Sequence, residues 1–264
     1  MKYFANAKTR YQIHSPFVFD LINEVYEDKR TYYAFDKAEI LREALMRDES
    51  EIEVTDFGAG SHNNKSPERK IANIATNALS PPEQCAFLFR LINRYRPKTL
   101  IEIGTSLGIA TLYQAFGNKN GQMITLEGCP KIAQVAQIQF KKAKAKNIEI
   151  TVGNFDYTLE DALKKVGSLD YIFIDGNHRK LPTIQYYEQA LKYAHNDTIF
   201  VFDDIHWSKD MEAAWAEVTA RIEVTIALDF FYFGLVFIKE ENKEKINEVI
   251  VKSSFKPWKM GFLK

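Results

Sequence analysis

Residues Thr99–Thr111 read TLIEIGTSLGIAT. The β-branched apolar run Thr99–Ile101 leads into an acid, Glu102. Gly104, Thr105, Ser106 and Gly108 follow as a tight turn, and Ile109–Phe116 is helix-compatible. The order is strand, turn, helix. At such a turn a missing Cβ lets the backbone approach a ligand, and the amides opening the helix point at it. A second acid narrows the choice of ligand. Gln122–Glu127 reads as the next strand and ends in Glu127, one strand–helix–strand unit after Glu102. An acid at the end of the second strand of such a unit takes ribose hydroxyls. The dinucleotide pattern GxGxxG is not met, because the glycines are spaced G-T-S-L-G. The alternative is an ordinary glycine turn that binds nothing; the two acids at strand ends weigh against it.

At these residues the chain resembles the class I S-adenosylmethionine-dependent methyltransferases. The form E-I-G-T-S-x-G is similar to the small-molecule O-methyltransferases of the catechol and caffeoyl-coenzyme A type. The resemblance covers about Ser80 to Lys239. It implies that Gly104–Gly108 holds the methionine part of S-adenosylmethionine and Glu127 its ribose, with Glu102 and Gly128 beside them.

Along the whole chain the strands and helices alternate after Ser80. Strands are expected at Thr99–Ile103, Met123–Glu127, Ile148–Gly153, Leu169–Asp175 and Asp197–Asp203, with helices between and after them. Short apolar strands alternating with helices give a parallel sheet covered on both faces. Glu223–Ala227 and Phe231–Ile238 lie so close together that they must form an antiparallel hairpin, expected at a sheet edge. The fold class is therefore α/β, a Rossmann-like doubly wound sheet of seven strands, mostly parallel, with a C-terminal antiparallel hairpin and a helical N-terminal extension. A nicotinamide-dependent oxidoreductase would lack that hairpin and carry GxGxxG. A charged helix is expected over Asn242–Ser253, then a tail with Trp258 and Phe262.

Residues 1–79 are read as a mainly helical extension serving as lid, acceptor site or oligomerisation arm, and 80–264 as the cofactor-binding domain. Ser15-Pro16 opens a helix carrying Phe17, Leu21, Ile22, Val25 and Tyr26. Ala34–Arg47 and Arg69–Leu79 read as further helices, and Ile52–Phe57 as a short strand. Asp56, Gly58 and Gly60 in DFGAGS imitate a cofactor turn. With no second strand ending in an acid after them, they read as a link into the basic loop His62–Lys70; the alternative is a loop bordering the active site. Ser80-Pro81-Pro82-Glu83 marks a helix start of the S-x-x-E kind.

The 264 residues suffice for one large or two small domains, and 46% of them are apolar, as in a globular chain with a core. Lys and Arg number 35, as do Asp and Glu, so there is no overall electrostatic footprint for nucleic acid. The two cysteines, Cys85 and Cys129, suggest no disulfide scaffold. No signal-peptide core or membrane-length apolar run is present. A cytoplasmic protein is expected, with a small-molecule methyl acceptor, no membrane partner, nucleic acid disfavoured, and a homodimer as an open partner state.

In an open α/β sheet the ligand sits at the carboxyl ends of the strands. After the third strand come Asn154 and Phe155, suited to an adenine edge and face; the alternative is Phe155 as plain core. After the fourth come Asp175, Gly176, Asn177 and His178. After the fifth come Asp203, Asp204, Ile205, His206 and Trp207. In the catechol-type relatives an acid after strand four and an Asp-Asn pair after strand five hold a divalent metal. Asp175 and Asp203 match; Asp204 stands where those enzymes carry Asn, and a cation such as Mg²⁺ is left open. Asp175 could instead orient the methionine end of the cofactor. The metal-free route uses His178 or His206 as general base. The candidate catalytic residues are Asp175, His178, Asp203 and His206. Asp175-Gly176-Asn177-His178 is unlike the N/D-P-P-Y/F of base N-methylating enzymes, which favours O-methylation of a small hydroxylated molecule. A nucleic-acid or protein methyltransferase and a catalytically silent cofactor-binding protein are the alternatives. Phe17, Phe19, Tyr26, Tyr32, Tyr33 and Phe35 are candidates for an acceptor pocket or a dimer contact.

Overall fold

A computed structural model of the chain describes residues 2–55 and 67–256. Before the nucleotide-type unit come α1 (Lys2–Asn6), α2 (Pro16–Leu21), α3 (Tyr33–Met46), β1 (Glu51–Glu53), β2 (Glu68–Lys70) and α4 (Ile71–Ala78). Then follow α5 (Pro82–Tyr95), β3 (Thr99–Ile103), α6 (Ile109–Gly117), β4 (Gln122–Glu127), α7 (Pro130–Lys142), β5 (Ile148–Val152) and α8 (Phe155–Val166). The chain continues through β6 (Leu169–Ile174), α9 (Lys180–Leu191), β7 (Ala194–Asp203), α10 (Lys209–Ala220), β8 (Ile226–Asp229), β9 (Phe233–Phe237) and β10 (Ile246–Val249).

The large sheet runs β10-β8-β9-β7-β6-β3-β4-β5, with β9 antiparallel to both neighbours and every other pairing parallel. The expected alternation and the antiparallel hairpin are both present. Two expectations are corrected. The sheet has eight strands rather than seven, and the hairpin is not at an edge. Both follow from Ile246–Val249, expected as part of a helix, which pairs in parallel with Ile226–Asp229. Ile246, Val249 and Ile250 have helical spacing, but the run is rich in β-branched residues, which suit a pleated surface better. Ile250 and Val251 are then buried beside it.

Strand periodicity sorts the core. Ile101, Ile103, Leu126, Ile174 and Phe202 face α8, α9 and α10. Leu100, Met123, Tyr171, Phe173 and Val201 face the opposite side, where α5 supplies Phe87, Leu88, Leu91 and Ile92. The N-terminal segment packs on that second face, with Val18, Leu21, Ile22 and Val25 fully buried among sheet residues. Ser15 caps α2, accepting from the Val18 amide at 3.4 Å, with Pro16 in the first turn. The predicted Ser80 cap does not form. Pro81 occupies that position, and Glu83 instead pairs with Lys252. With prolines at 81 and 82, fewer amides need a cap there. β1 and β2 pair with each other as a small separate sheet. Asp56, Gly58, Gly60, Trp258 and Phe262 lie outside the described residues.

At the sheet's centre Glu102 has no solvent exposure. Its carboxyl accepts from the hydroxyls of Thr111 and Thr125, both at 2.5 Å, and from the Gln114 amide. Burial pushes its pKa up to about 7, with the three donors opposing the rise. A folded pKa above the unfolded one means that the folded chain holds the proton more tightly. This contribution is therefore full below about 4.5 and is lost as pH rises to about 7. It is worth on the order of 3 kcal/mol. Glu102→Gln should flatten the decline. Urea denaturation on either side of that window should show a smaller stability difference in the variant than in the wild type.

Candidate active site

The carboxyl edge of the large sheet gathers the polar residues. By alternation Thr125, Glu127, Asp175 and Asp203 continue the rows of Met123, Phe173 and Val201, so they point toward the α5–α6 face. The turn between β3 and α6 is built for close approach. Gly104 has φ +100°, and a Cβ there would lie 2.5 Å from the Asp175 carbonyl oxygen. Gly108 has φ +84°, and its Cβ would meet the Phe140 ring at 2.6 Å. Ser106 takes a positive φ of 49° without being glycine. Gly104 and Thr105 amides both donate to the Leu126 carbonyl. The Thr105 hydroxyl bonds the Thr125 hydroxyl at 2.6 Å.

Glu127 stands beside this turn. Its two carboxylate oxygens accept from the Ser106 and Cys129 amides, each at 2.9 Å. A carboxylate has about four acceptor positions, so ribose hydroxyls can still be received. Gly128 is buried next to it. The N-terminal segment reaches this point too, since the Thr55 amide donates to the Cys129 sulfur at 3.4 Å. Glu102, by contrast, points at α6 rather than at the turn, with all its bonds internal.

Asp175 and Asp203 come together and hydrogen-bond. Burial and the neighbouring Asp203 hold the Asp175 carboxyl well above the usual range. Burial and Asp204 raise Asp203 to about 7, while its bond to Asp175 works against the rise. Both acids therefore hold a proton more readily than a free carboxyl does. Asp204, at φ 52°, turns aside, and its carboxylate is 4.0 Å from His178 Nδ1. His178 Nε2 lies 3.5 Å from Asp175. Burial lowers the His178 pKa, opposed by Asp204, so the imidazole is neutral near pH 7. The Trp207 ring sits 5.6 Å from that of His178. Asn177 and His178 also have positive φ, 71° and 38°. Each such non-glycine residue costs about 1 kcal/mol or more, and three of them flank the acid pair.

His206 is elsewhere occupied. Its Nε2 bonds Asp229 at 2.7 Å, and its ring stacks on Phe231. The Tyr3 hydroxyl donates to the other Asp229 oxygen at 2.8 Å. The Asn154 side chain caps α8, accepting from the Asp156 amide. Phe155 packs under Gly176, whose Cβ would meet its ring at 2.7 Å. Among the described residues, no three His, Cys, Asp or Glu side chains are arranged to hold a metal ion. Asp204 faces His178 instead of joining Asp175 and Asp203, so the three acids do not converge on one cation position.

Sequence reasoning missed three features. Asn177 carries a buried side-chain oxygen without a partner. Asp229 bonds His206, and Tyr3 bonds Asp229. A cavity of about 420 Å³ is walled by aromatic residues including Phe87 and the run Phe230–Phe233. Four aromatics in a row at a hairpin turn were its legible sign, masked by their resemblance to a strand. Of the N-terminal aromatics expected near a pocket, Tyr26 lines this cavity. Phe17 packs on Phe237 and Tyr95, and Tyr32 and Phe35 on Phe89. Phe19 and Tyr33 are exposed.

A family-wide profile described as O-methyltransferase matches residues 67–242, two thirds of the chain. The chain belongs to the O-methyltransferase family. It is 34% identical over 127 residues to a catechol O-methyltransferase of Niastella koreensis, covering 47% of this chain and 57% of that protein. It is 31% identical over 125 residues to one from Mycobacterium tuberculosis, covering 47% and 55%. The chain thus spans little more than half of these curated relatives. An O-methyltransferase from Bacillus cereus, solved with SAH, shares the fold at a TM-score of 0.58 and 20% identity. That likeness covers 84% of this chain and 97% of the other.

Gly104→Ala and Gly167→Ala provide a paired test of the turn. Both glycines have positive φ, but a Cβ at Gly167 meets nothing within 4 Å. Gly167→Ala should cost roughly 1–2 kcal/mol, the ordinary left-handed penalty. Gly104→Ala should cost at least about 3 kcal/mol, because the clash is with backbone. Equal losses in urea denaturation would show that the Gly104–Asp175 approach imposes no constraint.

Proposed function

We propose that this chain transfers the methyl group of S-adenosylmethionine to a hydroxyl oxygen of a small molecule. The observation that carries the reading is the glycine turn Gly104–Gly108, pressed against Asp175 and joined by its Ser106 amide to Glu127. The turn supplies backbone close to the methionine end, and Glu127 accepts from the ribose. Gly128, Asn154 and Phe155 flank the adenine side; with the Asn154 side chain engaged as a cap, Phe155 is the stronger contact. A chain with free, buried Cys85 and Cys129 suits a reducing, cytoplasmic compartment.

S-adenosylmethionine supplies a methyl on a positively charged sulfur. The acceptor oxygen forms the new C–O bond as the C–S bond breaks, leaving S-adenosylhomocysteine. The hydroxyl proton must go to this chain. His178 is the base in this reading. Its imidazole is neutral near pH 7, and Asp204 stabilises the imidazolium that forms. The acid pair Asp175–Asp203 sits beside it and orients the hydroxyl. His206, held by Asp229, supports the wall rather than the proton transfer.

Two measurements test this. Isothermal titration with S-adenosylhomocysteine should show Glu127→Ala weaker by roughly 2–4 kcal/mol, the worth of two charged hydrogen bonds. Equal affinity removes Glu127 from the ribose. His178→Ala should lower kcat by about 10²–10⁴-fold while leaving S-adenosylhomocysteine binding unchanged. The wild-type pH–rate profile should rise with pH on a limb below the ordinary histidine pKa, and the variant should lack that limb. Turnover should survive excess chelator. Loss on chelation with recovery on adding Mg²⁺ would instead place a cation at Asp175, Asp203 and Asp204.

A further inference from the structure

Resting on the proposed methyl transfer, we infer that Tyr3 and Asp229 are positioning residues: through His206 they hold the turn between β7 and α10 so that Asp204 stays against His178. The turn is the first argument. Asp204 lies just past β7 and takes a left-handed φ of 52°. A residue with a Cβ keeps such a conformation only where its surroundings over-determine it. Within the turn the Trp207 amide donates to the Asp204 carbonyl at 2.9 Å. That bond sets the local bend, but it does not fix the bend relative to the neighbouring loop. The Asp204 carboxylate is 4.0 Å from His178 Nδ1, and the Trp207 ring is 5.6 Å from the His178 ring. His206, between them, reaches across to β8 instead.

The hold on His206 is the second argument. Asp229 ends β8, and its register partner on β9, Gly234, adjoins Phe233, the partner of Asp203. Asp229 therefore stands on the same carboxyl edge as Asp203, two strands away. Its side chain is only 7% exposed. It bonds His206 Nε2 at 2.7 Å, and it accepts from the Tyr3 hydroxyl and the Phe231 amide at 2.8 Å each. A buried acid with three partners is fixed in place and fixes its neighbours in turn. His206 Nδ1 also faces Glu212 of α10 at 3.5 Å, but that side chain is 57% exposed and makes the weaker contact. The imidazole is packed as well as bonded. Phe231 stacks on it at 5.5 Å, and Tyr3 meets it edge-on at 5.4 Å.

The origin of Tyr3 is the third argument. It belongs to α1, outside the family-matched residues 67–242. Burial and Asp229 hold its hydroxyl protonated far above the ordinary tyrosine range, so it serves as a donor. Main-chain bonds seat the segment on the sheet edge. The Lys8 amide donates to the Val249 carbonyl at 2.7 Å, and the Val251 amide to the Lys8 carbonyl at 2.9 Å. The N-terminal helix thereby completes the partners of Asp229, Asp229 holds His206, and the turn presents Asp204 to the imidazolium that forms at His178.

The test uses the full chain. Amide hydrogen exchange, read by NMR without any ligand, reports the turn independently of turnover. Tyr3→Phe removes only a hydroxyl, and Asp229→Asn keeps the shape of the buried acid. Each should speed exchange of the Trp207 amide about fivefold, as the loss of one hydrogen bond does, and leave S-adenosylhomocysteine affinity unchanged by calorimetry. With S-adenosylmethionine and catechol, each should lower kcat about tenfold while the KM for S-adenosylmethionine stays the same. In an Asp204→Ala background, Tyr3→Phe should cost less than about twofold, because residues that act through one another are not additive. Tyr11→Phe, which removes an exposed hydroxyl from the same segment, should alter none of these readings. Unchanged exchange in both variants overturns the proposal, as does a tenfold loss that persists without Asp204. Faster exchange in both variants of a chain that neither binds S-adenosylhomocysteine nor methylates catechol supports the hold on the turn and overturns the proposed methyl transfer instead.

Discussion

A carboxyl group with no solvent exposure holds the centre of this molecule together. Burying Glu102 is costly unless its oxygens are satisfied, and α6 and β4 supply the donors Thr111, Gln114 and Thr125. Gln114 in turn accepts from the Tyr171 hydroxyl of β6 at 3.0 Å. One buried acid thus ties together three adjacent strands and the helix that begins at the glycine turn. The turn can then run close to Asp175 without slack. Loosening Glu102 would act on the cofactor site through α6 and not by direct contact.

The acids at the sheet edge obey the same period-two rule as the core. Asp175 follows Phe173 by two residues, and Asp203 follows Val201 by two, so both carboxyls join the α5 face. Little water reaches them there, and both pKa values rise. Asp204, one residue on, must leave that row. Its positive φ and its approach to His178 are the local consequence. The Asp204 carboxylate instead lies against the His178 ring, 4.0 Å from Nδ1.

Much of this was legible in the sequence, because the strands are short, apolar and regularly spaced. TLIEIGTSLGIAT and the acid-ending strands located the edge and the residues that meet there. Three things were hidden, each for a physical reason. Ile246–Val249 satisfies helical spacing and strand propensity at once, and only the unpaired edge of β8 decides between them. His178 and His206 both follow strand ends, yet the partner that captures His206 is Asp229, a residue of the hairpin. Glu102 was read as facing the ligand because it precedes the turn. Its bonds to Thr111 and Gln114 hold it against α6 instead.

The division between the matched region and its flanks has a functional logic. Residues 67–242 contain the turn, Glu127, the acid pair and His178, the groups on which the proposed methyl transfer rests. The flanking segments supply none of these, but they bury Val18, Leu21, Ile22 and Ile250 against the sheet, and they bring Tyr3 to Asp229. That anchoring is tight, whereas Phe4 and Phe255, which reach the cavity, stay about half exposed. A firmly seated support carrying exposed aromatic tips can change its tips at little cost to stability. Substitutions in α1 and residues 250–255 can therefore reshape the cavity wall while the strand ends stay as they are.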